Sequence, residues 1–92
     1  MSYQIKSKYE GKLHTQSTHL RSGTKITTDA PVDNHGTGES FSPTDLACTS
    51  LGNCMMTIMG IEARRMGIKL DGTTFSTEKS MQANPRKIGK IK

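Results

Sequence analysis

The groups in this 92-residue chain best suited to chemistry are two thiols, Cys48 and Cys54. A cysteine reacts as its thiolate, so a working site needs a nearby cation and partial access to solvent. Both cysteines lie in one stretch, Ser42 to Gly67, that reads as a single helix. Six positions along a helix separate them by about 9 Å of rise and ~120° of rotation. That exceeds the ~7 Å between Cα atoms that a disulfide tolerates. The two cannot bridge within the helix, and reduced thiols in a reducing compartment fit best. Cys54 sits mid-helix, where the macrodipole does little for it. On composition alone, a cysteine on an apolar helix is an inert packing residue. Arg21 and Glu39 flank the loops near the helix start. Each reads as a solvated charge, or as the cation or carboxylate that a thiolate site requires. No metal or cofactor is expected. His14 and His19 fall on opposite faces of a strand, and two cysteines on different faces complete no zinc set. Gly36-Thr37-Gly38 precedes a helix but lacks the spacing and the lysine of a phosphate loop.

The element that positions the thiols is well signalled at both ends. Ser42 suits an N-cap, Pro43 the first helical position, and Asp45 the positive helix end. Arg64 and Arg65 occupy the last turn, and Gly67 suits the left-handed position beyond it. The spacing predicts a helix over 43–66. Leu51, Met55, Ile58 and Glu62 follow one stripe, yet apolar residues occupy most of the circumference from Leu46 to Ile61. A helix apolar nearly all round is expected to be buried on several sides, wrapped by a sheet, by a partner subunit or by both. The uncharged run, interrupted by Thr49, Ser50, Asn53 and Thr57, falls short of the ~20 apolar residues of a membrane span.

Ahead of the helix, Tyr3 to Tyr9 alternates with period two, Glu10-Gly11-Lys12 reads as a turn, and Leu13 to Leu20 as a polar strand. Arg21-Ser22-Gly23 turns the chain again into a short strand, Thr24 to Thr28, with Ile26 expected inward. Two short turns between strands predict a three-stranded antiparallel sheet. Asp29 to Phe41, dense in Pro, Gly, Asp and Asn, is a loop feeding straight into the helix, a place where function often resides. After the helix, Thr73 to Met81 reads as a strand, Gln82 to Pro85 as a turn, and Lys87 to Lys92 as another strand. Ile88 and Ile91 have no successor there, so the chain is expected to stop short of the natural domain.

One α+β domain spanning 1–92 is the expectation. Hydrophobic residues make up 32% of the chain, below the usual ~45–50%, too little to cover the helix alone; obligate dimerisation, or a chain shorter than its natural domain, is expected. Met1 to Tyr9 contains no apolar core of a signal peptide, which makes a cytoplasmic location the default. The net charge of +5 arises in 79–92, from Lys79, Arg86, Lys87, Lys90 and Lys92. No aromatic residues interleave these cations and no nucleic-acid motif appears, so they read as a solvated end rather than as a nucleic-acid surface.

The segment Gly38 to Ile58, GESFSPTDLACTSLGNCMMTI, closely resembles the OsmC/Ohr family (osmotically inducible protein C and organic hydroperoxide resistance proteins). There a Ser/Asn-Pro element opens a central helix and Leu-Gly-x-Cys carries the reactive thiol. Thr28 to Pro31, Ala63 to Gly67, Lys79 with Met81, and Pro85-Arg86-Lys87-Ile88 extend the likeness over nearly the whole chain. The resemblance implies an intertwined homodimer with the long helices at its centre. It also implies a thiol peroxidase in oxidative-stress defence, with Cys54 as the peroxidatic residue acting on an organic hydroperoxide. In the family, a second cysteine closes a disulfide that thiols or a lipoylated protein reduce.

Three departures accompany the likeness. The family's second cysteine falls beyond residue 92, and Cys48 cannot replace it. Thr44 stands where the best-studied members carry a glutamate after the proline, leaving Glu39 as the candidate carboxylate. Arg21 is the nearest candidate for the catalytic arginine. A catalytically idle dimer that holds a small apolar ligand beside Cys54 is the alternative reading.

Overall fold

A computed structural model describes residues 3–92; Met1 and Ser2 of the amino-terminal stretch lie outside the described residues. The architecture is α+β, with a three-stranded antiparallel sheet, one long helix and a two-stranded hairpin in chain order. The chain forms two compact units, residues 1–43 and 44–92.

In the first unit, β1 (Ile5–Gly11), β2 (His14–His19) and β3 (Lys25–Asp29) pair in sequence order. The first turn is displaced from the expected Glu10-Gly11-Lys12. A bulge between Tyr9 and Gly11 absorbs one residue, Gly11 then opposes His14, and the chain reverses at Lys12 and Leu13. Both turn residues are left-handed, with φ of 53° and 63°, the geometry whose twist matches that of paired strands. Leu13 therefore belongs to the turn and not to β2. Ile26, expected inward, is 48% exposed. Burial in this unit concentrates where β3 ends, at Thr28 and Asp29, with the Thr15 and Thr28 hydroxyls hydrogen-bonded across the strands.

The loop after β3 closes on itself. Asn34 and Gly36 both donate backbone N–H groups to the Pro31 carbonyl across a 3-10 turn, Val32–Asn34. The Asp29 amide bonds the Phe41 carbonyl at 3.0 Å, joining the loop's ends. Gly36 lies so close to Ala30 that a Cβ placed on it would overlap the Ala30 backbone.

The second unit is built on α1 (Pro43–Arg65). Its end follows the glycine-terminated pattern: Gly67 has φ 75°, Ile68 donates to the Ala63 carbonyl at 2.8 Å and Gly67 to Arg64 at 3.2 Å, satisfying carbonyls that the last turn leaves free. Met66 is thus the cap and not the final helical residue. The helix is far less covered than its apolar circumference led us to expect. Only Cys48 and Ala63 are buried on it, while Leu51, Met55, Ile58, Met59 and Ile61 are all exposed.

Residues 73–78 are extended chain rather than a strand; β4 is confined to Lys79–Gln82, paired with β5 (Lys87–Ile91). A strand exists only where a neighbour supplies hydrogen bonds. The ladder here reaches back no further than Glu78, which exchanges both backbone bonds with Lys92 at 2.8 Å. Phe75 and Thr77 lie instead against Gly52 of α1, where the absent side chain leaves room for the Phe75 ring. The turn of residues 83–86 contains a cis Asn84–Pro85 bond.

Gly36→Ala should open the loop and destabilise the protein by roughly 1–3 kcal/mol, the range for forced overpacking, as measured by denaturant titration.

Candidate functional site

Helix α1 separates the two thiols into different environments. Cys54 is exposed, whereas Cys48 is 2% exposed. Both are free thiols, as their positions on one helix require. The helix is uncharged around Cys54, and no helix among the described residues is long and apolar enough to cross a membrane.

An apolar groove of about 320 Å³ opens beside Cys48, between α1 and the extended chain that follows it; Leu51, Met55, Met59, Phe75 and Ile91 are among its lining. Cys54 does not line it. The groove borders one thiol and not the other, because six positions carry a side chain a third of a turn around the helix.

The helix start is tied to the hairpin by Lys79. Its ammonium donates to the Thr44 hydroxyl at 2.9 Å and pairs with the Asp45 carboxylate at 2.8 Å, with the Lys79 side chain 17% exposed. Thr44, which follows the helix-opening proline, thus presents a hydroxyl to a cation. Asp45, one residue on, supplies the negative charge that suits a helix N-terminus.

Sequence reasoning missed the most connected group in the first unit, Asp29. Its side chain is fully buried. Oδ2 accepts three hydrogen bonds: from the Thr37 hydroxyl at 2.6 Å, the Thr37 amide at 3.2 Å and the Glu39 amide at 3.0 Å. The Thr37 hydroxyl and the Glu39 amide, with smaller help from His14 and the Thr37 amide, hold the Asp29 carboxyl below the ordinary carboxylate range against the opposing effect of burial. On the other oxygen, His14 Nε2 lies 3.5 Å from Oδ1, and the same nitrogen is 3.9 Å from Glu39 Oε2. The only trace of this in the sequence is an aspartate ending a strand ahead of a Pro/Gly-dense loop.

Arg21 and Glu39 are not brought together. Glu39 stands by His14 at the start of β2, while Arg21 lies in the turn after its far end. The intervening strand spans roughly 16 Å at ~3.3 Å per residue.

A model of the family described as OsmC-like protein matches residues 36–92, which include the loop, α1 and the hairpin. Among solved structures, the chain is similar to a protein from Psychrobacter arcticus 273-4, provisionally named an osmotic stress induced and detoxification response protein. The identity is 50% and the TM-score 0.95, over 99% of this chain and 66% of the other. The chain thus spans just under two thirds of that protein's length. No curated protein matches the chain by sequence.

Two outcomes are expected. Brief treatment with a thiol reagent followed by peptide mass spectrometry should label Cys54 first, with Cys48 labelled only after denaturation. The Asp29 carboxylate stabilises the loop at pH values above the ordinary ~3.9, and this contribution disappears as the pH falls through its lower folded value. Asp29→Asn should therefore lower the melting temperature at neutral pH and flatten the acid limb of the stability profile.

Proposed function

Because this chain belongs to the OsmC-like protein family, we propose that it is a thiol-dependent hydroperoxide reductase in stress defence, with Cys54 as its nucleophile. The observation that carries this reading is the exposed Cys54 thiol on α1, the residue that the resemblance to the family assigns as reactive. The stress role also accords with the name borne by the similar Psychrobacter protein.

In this reading the Cys54 thiolate attacks the distal oxygen of an organic hydroperoxide. The S–O bond forms as the O–O bond breaks, and the departing alkoxide takes a proton to leave as an alcohol. Cys54 is then a sulfenic acid, the first and reversible rung of thiol oxidation. Cys48 cannot resolve it from the same helix. An external thiol condenses with the sulfenic acid, releasing water and forming a mixed disulfide. A second thiol then attacks that disulfide and restores Cys54. A small dithiol or a lipoylated protein is the class of reductant that fits, and the cytoplasm is the proposed setting because it keeps both thiols reduced.

The proposed assembly is a homodimer. Leu51, Met55, Ile58, Met59 and Ile61 of α1 are exposed, and apolar side chains gathered on a surface mark an interaction site. Arg21 and Glu39 are the proposed cation and carboxylate partners of the thiol. Their separation along β2 means that their convergence on one sulfur draws on two chains.

A second reading is favoured by the apolar groove beside Cys48: an idle family member that binds a small apolar ligand there. Consumption of cumene hydroperoxide in the presence of dithiothreitol distinguishes the two. The wild type should turn over and Cys54→Ser should lose at least a hundredfold, as expected when a nucleophile is removed. Dimedone should label Cys54 after peroxide treatment. Equal rates in both proteins, with no labelling, would overturn the enzyme reading.

A further inference from the structure

Half-buried His14, buried Asp29 and exposed Glu39 form a cluster whose geometry is unbalanced in an informative way. Asp29 Oδ1 is buried and has no hydrogen-bond partner, although Oδ2 of the same group accepts three. A buried acceptor left bare carries a desolvation penalty. His14 Nε2 lies beside it at 3.5 Å, an ion-pair distance rather than a hydrogen bond.

The protonation of that ring follows from its other nitrogen. Nδ1 lies 2.8 Å from the Lys12 carbonyl oxygen. A carbonyl only accepts, so Nδ1 carries a hydrogen. In a neutral imidazole, Nε2 would then be the bare nitrogen, turning a lone pair toward Asp29 Oδ1 and Glu39 Oε2. Two carboxylates facing a lone pair repel it. A proton on Nε2 makes the same arrangement attractive. Among the described residues, the charged groups facing His14 are Asp29 from β3 and Glu39 from the loop; β1 opposes it with Gly11, and the turn with the uncharged Lys12 carbonyl.

We propose that His14 is the positioning residue of a pH-sensitive latch. Its imidazolium holds Asp29 and Glu39, and through them the loop of residues 30–41, closed; loss of its proton loosens the loop. The mechanical link is short. Asp29 is the acceptor for the Thr37 and Glu39 amides, so a shift of its carboxylate away from a neutral ring releases the centre of the loop. The ion pair exists only while both ring nitrogens carry a proton. This inference stands whether or not Cys54 reduces peroxides.

The test is amide hydrogen exchange of the full chain, read by NMR at Thr37 and Glu39 between pH 5.5 and 8 and corrected for intrinsic exchange. Protection in the wild type should fall by about fivefold as pH rises, the size of a partly exposed charge-assisted contact. In His14→Gln it should be low and independent of pH. His35→Gln, which removes the exposed histidine of the same loop, should behave as wild type. Imidazole nitrogen shifts of the unmodified protein supply a check that needs no variant: His14 Nδ1 should remain protonated throughout, and Nε2 should lose its proton at the midpoint of the protection change. A flat wild-type profile, a profile retained in His14→Gln, one abolished by His35→Gln, or midpoints that do not coincide would each overturn the proposal.

Discussion

The arrangement of the first unit depends on one carboxylate that has been taken out of water. A buried charge is expensive unless it is richly hydrogen-bonded, and Asp29 answers that demand by drawing Thr37 and Glu39 back across the loop onto a single oxygen. Charge-assisted bonds of this kind are about twice as strong as neutral ones. Together with the Asp29 amide bonded to the Phe41 carbonyl, they make a Gly- and Pro-rich segment into a closed loop of defined shape. Without the charge there is nothing apolar in the segment to hold it. Val32, its one large aliphatic side chain, is 74% exposed.

Where the loop ends, a second constraint takes over. Helix α1 places its two thiols by period alone, one in a dry packed setting and one at the surface. The dry one borders an apolar groove that Phe75 closes by lying against Gly52. The wet one does not line that groove. The same rotation that forbids a disulfide between them therefore sets one in packing and the other at the surface. Lys79 fastens this unit at its polar end, bridging the hairpin to Thr44 and Asp45 in the helix's first turn. There the cation meets a hydroxyl and a carboxylate at once, while its stem is largely covered. The rest of the helix offers Leu51, Met55, Ile58, Met59 and Ile61 to whatever lies outside the chain.

How much of this could be read from the residues depends on the range of the interactions concerned. The helix was legible at both ends because Pro43 and Gly67 act through their own backbone preferences, and the structure departs from 43–66 only in making Met66 the cap. The existence of three strands was legible from alternation and turn residues. The placement of the first turn was not, because the bulge after Tyr9 depends on pairing with β2. The expected strand over 73–81 shrank to Lys79–Gln82 because alternation describes what a segment could do, and a strand also needs a partner. Ile26 and the apolar sides of α1 were expected inside on hydropathy alone, but this chain carries too little apolar mass to cover them.

By itself, then, the sequence determined the class of fold, the helix and its caps, and the two cysteines' inability to meet, all of which follow from local geometry along one segment. The tertiary structure decided which thiol is exposed, where the apolar groove opens, and that Arg21 and Glu39 stand at opposite ends of β2. It alone joined His14, Asp29, Thr37 and Glu39. The physical reason is distance along the chain: a buried charge selects its partners by position in space, and no pattern of residue types records that choice.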